Sequence, residues 1–317
     1  MTALVPFHLL SEFRDYVWGG DRLRPGHSPT AEAWVVYEQD RIADGPFAGR
    51  SLAELSGELG AELLGNRALK KTGLRFPLLI KLLDCAQWLS VQVHPNDAQA
   101  RTLEGPGFFG KTEAWHVVEA EPGAEIMCGL AAPTEREKIS AAVREGKIMP
   151  FLRRMQVHNG ETIFIRPGTL HALGPGLLIY EIQQTSDLTY RVWDWDRPAS
   201  SGRKLHIDQS LAVIDPSIIV EASSQPQPKV AAIQSLVACD YFELERIEGM
   251  DCRFELDTSG ETFHALTVIS GQARVETQGW QGRLDLYETI LVPAACYTYT
   301  IIPDPEAQIL RASLPGG

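Results

Sequence analysis

Residues 160–173, GETIFIRPGTLHAL, carry the pattern that decides the fold of this chain. Apolar and β-branched residues in ETIFI, bounded by a glycine and a proline, are typical of a short β-strand. The residues RPGT (166–169) then predict a turn, because proline presets the first turn position and glycine tolerates a positive φ. His171 follows this turn at once. The stretch therefore predicts a strand and a tight turn with an imidazole directly beside them.

Other apolar segments have similar lengths and boundaries. Most are of strand length and lie between Gly, Pro, Asn or Asp residues: WLSVQVHP, AEIMCGL, GLLIYEIQQ, ALTVISGQARVET and ETILVPAA. Only two segments, 51–65 behind Ser51 and 134–146 behind Thr134, place apolar residues on one helical face. Many short strands with turns between them are typical of a jelly-roll β-sandwich. The predicted fold class is mainly β, with short helices inserted.

The sequence predicts a domain boundary at the start of the last third of the chain. Its length of 317 residues corresponds to about two domains of roughly 150 residues each. SSQPQPKV (223–230) combines prolines, glutamines and serines and separates two strand-rich regions. We therefore predict a first domain over 1–222 that contains the helices, a linker over 223–230, and a smaller β-domain over 231–317.

The two predicted domains contain one similar segment each. Aligned without gaps, GETIFIRPGTLHAL (160–173) and YETILVPAACYTYT (287–300) share Glu-Thr-Ile, two following apolar residues and a nearby proline. The alignment suggests two copies of one β-unit. It places Thr298 opposite His171, so the second copy lacks the imidazole. We expect the C-terminal β-domain to be jelly-roll-like and to lack metal ligands.

The charge and cysteine content exclude several classes of protein. The 29 Lys and Arg residues and 41 Asp and Glu residues leave a net charge of −12, which is unfavourable for binding nucleic acid or an anionic membrane. The five cysteines are scattered without a Cys-x-x-Cys pair, as expected of reduced thiols in a cytosol. Neither a signal peptide nor a spanning apolar run is recognisable. We therefore expect a cytoplasmic protein.

A candidate metal site emerges from two strands and one acidic segment. Gln92 and His94 are two residues apart in LSVQVHP, so their side chains project from the same face of a strand. Glu113, in GKTEAWHVVEA, can supply charge compensation. Together with His171, these residues would form a shell of two nitrogens and two oxygens, which suits zinc or another borderline divalent ion.

The segment around His171 resembles the second motif of the cupin superfamily. Gly160, Gly168 and His171 keep the spacing of that motif, although its proline lies one place off, at Pro167. The first cupin motif has His-x-His where this chain has Gln92-x-His94. The resemblance implies a cupin fold for the first domain.

The polar run in YEIQQTSDLTYRVWDWDRP (180–198) leads into an aromatic stretch that contains Arg191. Aromatic faces on either side can hold a guanidinium group rigid. Arg191 is therefore a candidate functional cation, with pairing to Asp194 or Asp196 at the surface as the alternative.

Taken together, these motifs closely resemble the type I phosphomannose isomerase family, in its shorter bacterial form. The resemblance covers nearly the full length, and the blocks that carry it are YVWGG (16–20), AEAW (31–34), FPLLIKLLD (76–84), LSVQVHPND (89–97), GKTEAW (110–115), IRPGTLHALG (165–174) and YEIQQTSDLTYRVWDWDR (180–197). It implies a zinc-dependent interconversion of mannose 6-phosphate and fructose 6-phosphate through an enediolate. The expected partner is thus a small sugar phosphate.

The resemblance also implies roles for individual residues. One zinc ion per chain is expected on Gln92, His94, Glu113 and His171. Arg191 and Lys111 match catalytic positions, and the sugar-phosphate cleft would be lined by Trp18, Glu32, Lys81, Ser90 and Asp187. Lys111 lies between Gly110 and Thr112, where long forms of the family have histidine and proline. A zinc-bound water, Lys111 and Asp187 are all candidates for the general base.

Two other functions fit parts of the pattern. Two histidines and one carboxylate also describe the facial triad of an iron-dependent cupin oxygenase. Gln92 as a further ligand and the cationic cleft residues argue against that alternative. A non-catalytic sugar-binding cupin is the third possibility, but it gives the chemical motifs no reason to occur together. The sequence leaves the oligomeric state open.

Overall fold

The computed structural model describes residues 4–197, 203–220, 231–249 and 252–316. Most ordered segments are short antiparallel strands. The first thirteen strands are β1 Phe7–Leu10, β2 Glu12–Arg14, β3 Glu32–Val36, β4 Arg41–Ile42, β5 Leu78–Cys85, β6 Val91–Val93, β7 Glu113–Ala120, β8 Glu125–Leu130, β9 Leu152–Gln156, β10 Thr162–Ile165, β11 His171–Leu173, β12 Leu177–Gln184 and β13 Tyr190–Trp193.

The C-terminal third continues in the same way. Its strands are β14 Ala231–Ala238, β15 Glu243–Gly249, β16 Phe254–Asp257, β17 His264–Ser270, β18 Ala273–Thr277, β19 Trp280–Leu284, β20 Thr289–Val292, β21 Thr298–Pro303 and β22 Gln308–Ser313. The α-helices are α1 Leu52–Leu59, α2 Ala61–Thr72, α3 Asp97–Leu103, α4 Arg136–Arg144 and α5 Ile207–Val213. None of the described helices is long and apolar enough to cross a membrane. The predicted mainly-β class with short helices is confirmed.

The chain forms two compact units. Of the described residues, those within 1–13, 33–82 and 226–317 form the C-terminal unit, and those within 14–32 and 83–225 form the site unit. This partition differs from the predicted domains, because residues 1–13 and 33–82 group with the C-terminal residues rather than with the rest of 1–222. The predicted linker, 223–230, lies outside the described residues.

Strand pairing gives the physical reason for this difference. The C-terminal unit contains a seven-stranded sheet in the order β14-β15-β22-β17-β20-β1-β4, in which Phe7 pairs with Leu291. A four-stranded sheet, β16-β21-β18-β19, supplies further apolar side chains to the same core. Strands β1 and β4 complete an edge of the C-terminal sheet, so the N-terminal residues fold with it.

The site unit contains a second sandwich. Its five-stranded sheet has the order β13-β6-β11-β8-β9, while β10, β7 and β12 are neighbours in another sheet. One face of the five-stranded sheet packs on α4 and α5 through residues such as Val93, Ile139 and Val213. The other face packs toward β7, where Cys128 and Trp115 share one hydrophobic cluster. The candidate ligands come from the strands of this interior.

The two similar sequence segments form matching structures. Strands β10 and β20 begin at Thr162 and Thr289, and β11 and β21 begin at His171 and Thr298. Gly168 in the first turn has a φ of +88°, and an added Cβ would meet the Val213 carbonyl oxygen at 3.0 Å. Glycine is therefore required in the turn that positions His171.

The predicted helices differ from the structure in their bounds. Segment 51–65 contains α1 and the first part of α2, which are separated at Gly60, a residue with a φ of +52°. A capping box between Ser51 and Glu54 starts α1, as the sequence predicts. Helix α4 has Glu135 as its N-cap instead of Thr134, whose hydroxyl donates to the Ala132 carbonyl.

A histidine joins the first strand to two other parts of the C-terminal unit. His8 Nδ1 lies 2.6 Å from Asp44 Oδ2, and Nε2 lies 2.7 Å from the Arg283 carbonyl oxygen. Because both neighbours are acceptors, the ring satisfies both only when both nitrogens carry protons. Burial opposes the charge, but the Arg283 carbonyl and Asp44 outweigh it and raise the pKa of His8 above 6.5.

The raised pKa predicts a pH-dependent contribution to stability. The contribution of His8 is fully present below pH 6.5 and is lost as the pH rises through its higher folded-state pKa. The wild type should have a larger free energy of unfolding than His8→Gln at pH 6.5. This difference should become smaller as the pH rises above 6.5. Urea unfolding at several pH values measures this, and His27→Gln, at an exposed position, is the control. A difference in unfolding free energy that grows with pH would contradict the raised pKa of His8.

Candidate metal centre

The register of the five-stranded sheet aligns three of the expected site residues. Arg191 on β13 pairs with Gln92 on β6, and Gln92 pairs with His171 on β11. Residues directly opposite each other in antiparallel strands project from the same face. His94, two residues beyond Gln92, shares that face. One row across the sheet therefore carries a guanidinium, an amide and an imidazole, with a second imidazole beside it.

Glu113 approaches this row from the facing strand β7. It is two residues before Trp115, whose ring contacts the His171 ring edge to face at a centroid distance of 5.3 Å. His94 Nε2 lies 3.5 Å from Glu113 Oε2, and His171 Nε2 lies 3.3 Å from Glu113 Oε1. The three potential ligand atoms lie within 4.8 Å of one another, and all three residues are buried. Among the described residues, this is the one His, Cys, Asp and Glu group that could hold a metal ion.

Hydrogen bonds at Nδ1 of His94 and of His171 determine that Nε2 of each ring faces Glu113. His94 Nδ1 donates to the Leu188 carbonyl at 2.8 Å, and His171 Nδ1 donates to the Thr169 carbonyl at 2.8 Å. With the proton on Nδ1, each Nε2 presents a lone pair, and the two Nε2 atoms are 3.1 Å apart. Two lone pairs and a carboxylate that converge in a buried space match the donor set that a divalent cation binds.

The protonation of His171 agrees with a ligand role. Burial, opposed by the hydrogen bond to the Thr169 carbonyl and reinforced by the Lys111 charge, lowers the pKa of His171 to about 4. The imidazole is therefore neutral at neutral pH, as a metal ligand must be.

Lys111 adds one positive charge to the cluster. Its Nζ lies 2.8 Å from Glu113 Oε2 and 3.6 Å from Glu181 Oε1, and all three side chains are buried. Trp115 Nε1 donates to Glu181 Oε2 at 2.9 Å. Two carboxylates against one ammonium leave one net negative charge, which is costly in a buried space. A divalent ion would offset this charge, so the residues fit a metal on electrostatic grounds as well.

Arg191 lies at the end of the row, half-buried. Its Nε donates to Ser90 Oγ at 3.3 Å, and Nη1 donates to the Lys204 carbonyl at 3.0 Å. Burial and the nearby Arg203 lower the pKa of Arg191 below its ordinary value, but a guanidinium stays charged at neutral pH. The structure therefore holds a fixed cation on the same sheet face as the candidate ligands.

The remaining expected cleft residues lie in different surroundings. Ser90 is buried and contacts Arg191. Trp18 belongs to the hydrophobic core of the site unit, Glu32 is buried at the start of β3, and Asp187 is exposed in the loop after β12. Lys81 belongs to the C-terminal unit, where its Nζ lies 4.7 Å from the Trp34 ring centroid.

Glu181 is a site residue that sequence reasoning did not single out. It lies on β12, where every residue is buried, and it pairs with Lys111. A carboxylate inside a strand of otherwise apolar and amide residues needs a buried partner, and that is the signal that could have found it. His116 is buried on β7, with Nδ1 2.9 Å from Thr162 Oγ1 on β10.

An antiparallel β-sandwich with a buried His, Glu and His cluster defines this chain as a cupin-type protein with a candidate metal site. Residues 6–107 match the family model described as phosphomannose isomerase type I, catalytic domain. The chain is 34% identical to a probable mannose-6-phosphate isomerase of Bacillus subtilis, and the match covers 93% of this chain and 96% of the relative. It is also 40% identical to a mannose-6-phosphate isomerase of Streptococcus mutans over 66% of this chain and 67% of the relative. The chain belongs to the type I phosphomannose isomerase family.

Solved structures agree with this assignment. The crystal structure of a mannose 6-phosphate isomerase from Bacillus subtilis superimposes with a TM-score of 0.85 at 30% identity, covering 98% of this chain and 99% of that chain. A phosphomannose isomerase variant from Salmonella typhimurium gives a TM-score of 0.81 at 15% identity, covering 99% of this chain and 100% of that chain. At that lower identity the likeness shows the shared fold alone.

The geometry predicts which substitutions remove the metal. His94→Ala or His171→Ala deletes one of two converging lone pairs, so either variant should lose its divalent metal after dialysis. Inductively coupled plasma mass spectrometry of purified protein measures the metal per chain. His158→Ala, at an exposed position, should retain the wild-type content. Full occupancy in either buried variant would contradict the proposed ligand set.

Proposed function

We propose that this protein is a zinc-dependent isomerase that interconverts mannose 6-phosphate and fructose 6-phosphate. The observation that carries the proposal is the row of partly buried Arg191 and Gln92 with buried His171 on one sheet face. Buried Glu113 lies against His171, and buried Lys111 pairs with Glu113. The relatives named above are mannose-6-phosphate isomerases, and the chain spans almost all of one of them. The cluster supplies the two features that such a reaction needs, fixed positive charge and a metal site.

Aldose–ketose isomerisation removes a proton next to a carbonyl and returns one to the neighbouring carbon. The intermediate is an enediolate, whose negative charge is stabilised best by groups already fixed in a site that excludes water. When bound, a divalent ion would polarise and orient the substrate oxygens. We assign it to His94, Glu113 and His171, with the Gln92 amide oxygen on the same sheet face as a fourth ligand.

Arg191 and Lys111 are the proposed catalytic cations. Arg191 is permanently charged and is oriented by Ser90 and the Lys204 carbonyl, so its remaining N–H groups can bind the enediolate oxygens. Lys111 Nζ is held between two carboxylates and can donate to a substrate oxygen. The exposed Asp187 carboxylate can accept the proton from carbon, whereas Lys111 Nζ can do so only after it has lost its own proton. By family position, Trp18, Glu32, Lys81, Ser90 and Asp187 contribute to substrate binding.

Zinc is the metal that we propose. Two imidazole nitrogens, a carboxylate and an amide oxygen suit a borderline divalent ion without redox chemistry. The same two histidines and carboxylate also satisfy the ligand count of an iron facial triad. Elemental analysis separates the two functions, because stoichiometric iron together with oxygen consumption would favour an oxygenase.

A coupled assay tests the proposed function directly. The zinc-loaded protein should convert mannose 6-phosphate to fructose 6-phosphate, measured through NADPH production by phosphoglucose isomerase and glucose-6-phosphate dehydrogenase. Chelation should abolish the conversion, and added zinc should restore it. If zinc-replete, folded protein does not turn over mannose 6-phosphate, the proposed substrate is wrong.

Arg191→Ala tests the assignment of the catalytic cation. Because a pre-oriented donor to a developing oxyanion is removed, kcat should fall by about 10²- to 10³-fold. Metal content should stay at the wild-type level, since Arg191 is not a proposed ligand. Arg154→Ala is the matched control, because Arg154 lies on edge strand β9 of the same sheet and pairs with Glu125. Unchanged turnover in Arg191→Ala would refute the role.

A further inference from the structure

The backbone that carries Lys111 is held at three consecutive amide groups. Gly110 N donates to Asp97 Oδ1 at 2.7 Å, Lys111 N donates to the Pro95 carbonyl at 2.9 Å, and Thr112 N donates to Gln184 Oε1 at 2.9 Å. Because all three amides donate to acceptors outside residues 110–112, the backbone at Lys111 has little freedom to move.

Gln184 connects the two ends of this segment. Its Nε2 donates to Asp97 Oδ1 at 3.0 Å while its Oε1 accepts from Thr112 N, and its own backbone N donates to the Thr112 carbonyl at 3.2 Å. The Asp97 oxygen thus accepts from both Gly110 N and Gln184 Nε2. Gln184 and Asp97 form a closed hydrogen-bonded ring around residues 110–112.

The ring is buried on the side of Gln184 and partly buried at Asp97. Gln184, Lys111 and Thr112 are each at most 4% exposed. An added Cβ at Gly110 would meet the backbone carbon of Asn96 at 2.5 Å, so the segment packs directly on the chain that leads into α3. In such surroundings, loss of the bond between Thr112 N and Gln184 Oε1 leaves a buried amide that water does not satisfy.

We propose that Gln184, acting with Asp97, is a positioning residue for Lys111. Strand β12 then contacts both the side chain and the neighbouring backbone of Lys111, since Glu181 pairs with Nζ and Gln184 accepts from the Thr112 amide. A lysine side chain is flexible, so the position of the Lys111 Cα atom limits where Nζ can lie relative to a substrate oxygen. This inference rests on the proposed function of Lys111 as a catalytic cation.

The test is a double-mutant cycle between Gln184 and Lys111. Gln184→Leu removes both hydrogen bonds at similar volume and should lower kcat/KM for mannose 6-phosphate by about 10- to 100-fold, mostly through kcat. In a Lys111→Met background, the same substitution should change kcat/KM by less than about 2-fold, because the group it positions is already absent. An equal loss in both backgrounds would show a merely structural role and overturn the proposal.

Variants of Asp97 repeat the test if Gln184→Leu does not fold. Asp97→Asn keeps an oxygen acceptor and should retain activity within about 3-fold, whereas Asp97→Ala should show the loss and the same dependence on Lys111. Thr162→Val, which removes a buried hydrogen bond to His116 in the same unit, is the control and should match the wild type. Equal activity of Asp97→Asn and Asp97→Ala, both folded, would overturn the proposal.

The outcomes separate this inference from the proposed function. If the zinc-loaded wild type does not isomerise mannose 6-phosphate, the proposed function fails. If the wild type is active and Lys111→Met is equally active, the role of Lys111 fails and the positioning proposal fails with it. If Lys111→Met is impaired but Gln184→Leu is fully active, only the positioning proposal fails.

Discussion

The pairing register of β13, β6 and β11 is the constraint on which the site depends. It sets Arg191 opposite Gln92 and Gln92 opposite His171. Because successive residues of a strand project from opposite faces, a slip of one residue would turn the moved side chains toward the hydrophobic layer under α4 and α5. That layer resists such a slip, since Val91, Val93 and Val192 pack there with the two helices. Burial of one sheet face under the two helices thus determines which side chains project from the opposite face.

The second constraint is charge in a buried space. Glu113 and Glu181 lie on the neighbouring strands β7 and β12, and Lys111 pairs with both. Removing water from these groups is costly, so the ammonium offsets one carboxylate charge and a bound divalent ion would more than offset the other. The same arrangement reconciles a net charge of −12 with an anionic substrate. Arg191 on β13 and the buried Lys111 supply local positive charge, while the excess of acidic residues contributes to the general negative potential.

Local sequence patterns predicted the strands and part of the site. Apolar runs bounded by turn residues located β6, β8, β10, β12 and β20. The spacing of Gln92 and His94 placed both on one strand face, and the matched segments at 160–173 and 287–300 begin their strands at equivalent positions. The strand predictions agree with the structure because periodicity and turn chemistry act over a few residues. Glu181 and Gln184 were missed because their partners, Lys111 and Asp97, are far away in the sequence.

By itself, the sequence determined the mainly-β class, the short helices and the family resemblance that names the candidate ligands. Only the tertiary structure decided that the N-terminal strand completes the C-terminal sheet, as in the pairing of Phe7 with Leu291. It also decided that His94, Glu113 and His171 converge within 4.8 Å and that the loop carrying Lys111 is held by Gln184. The physical reason is that strand order and facing sheets are set by burial and hydrogen bonding between distant segments, which leave no short-range pattern in the chain.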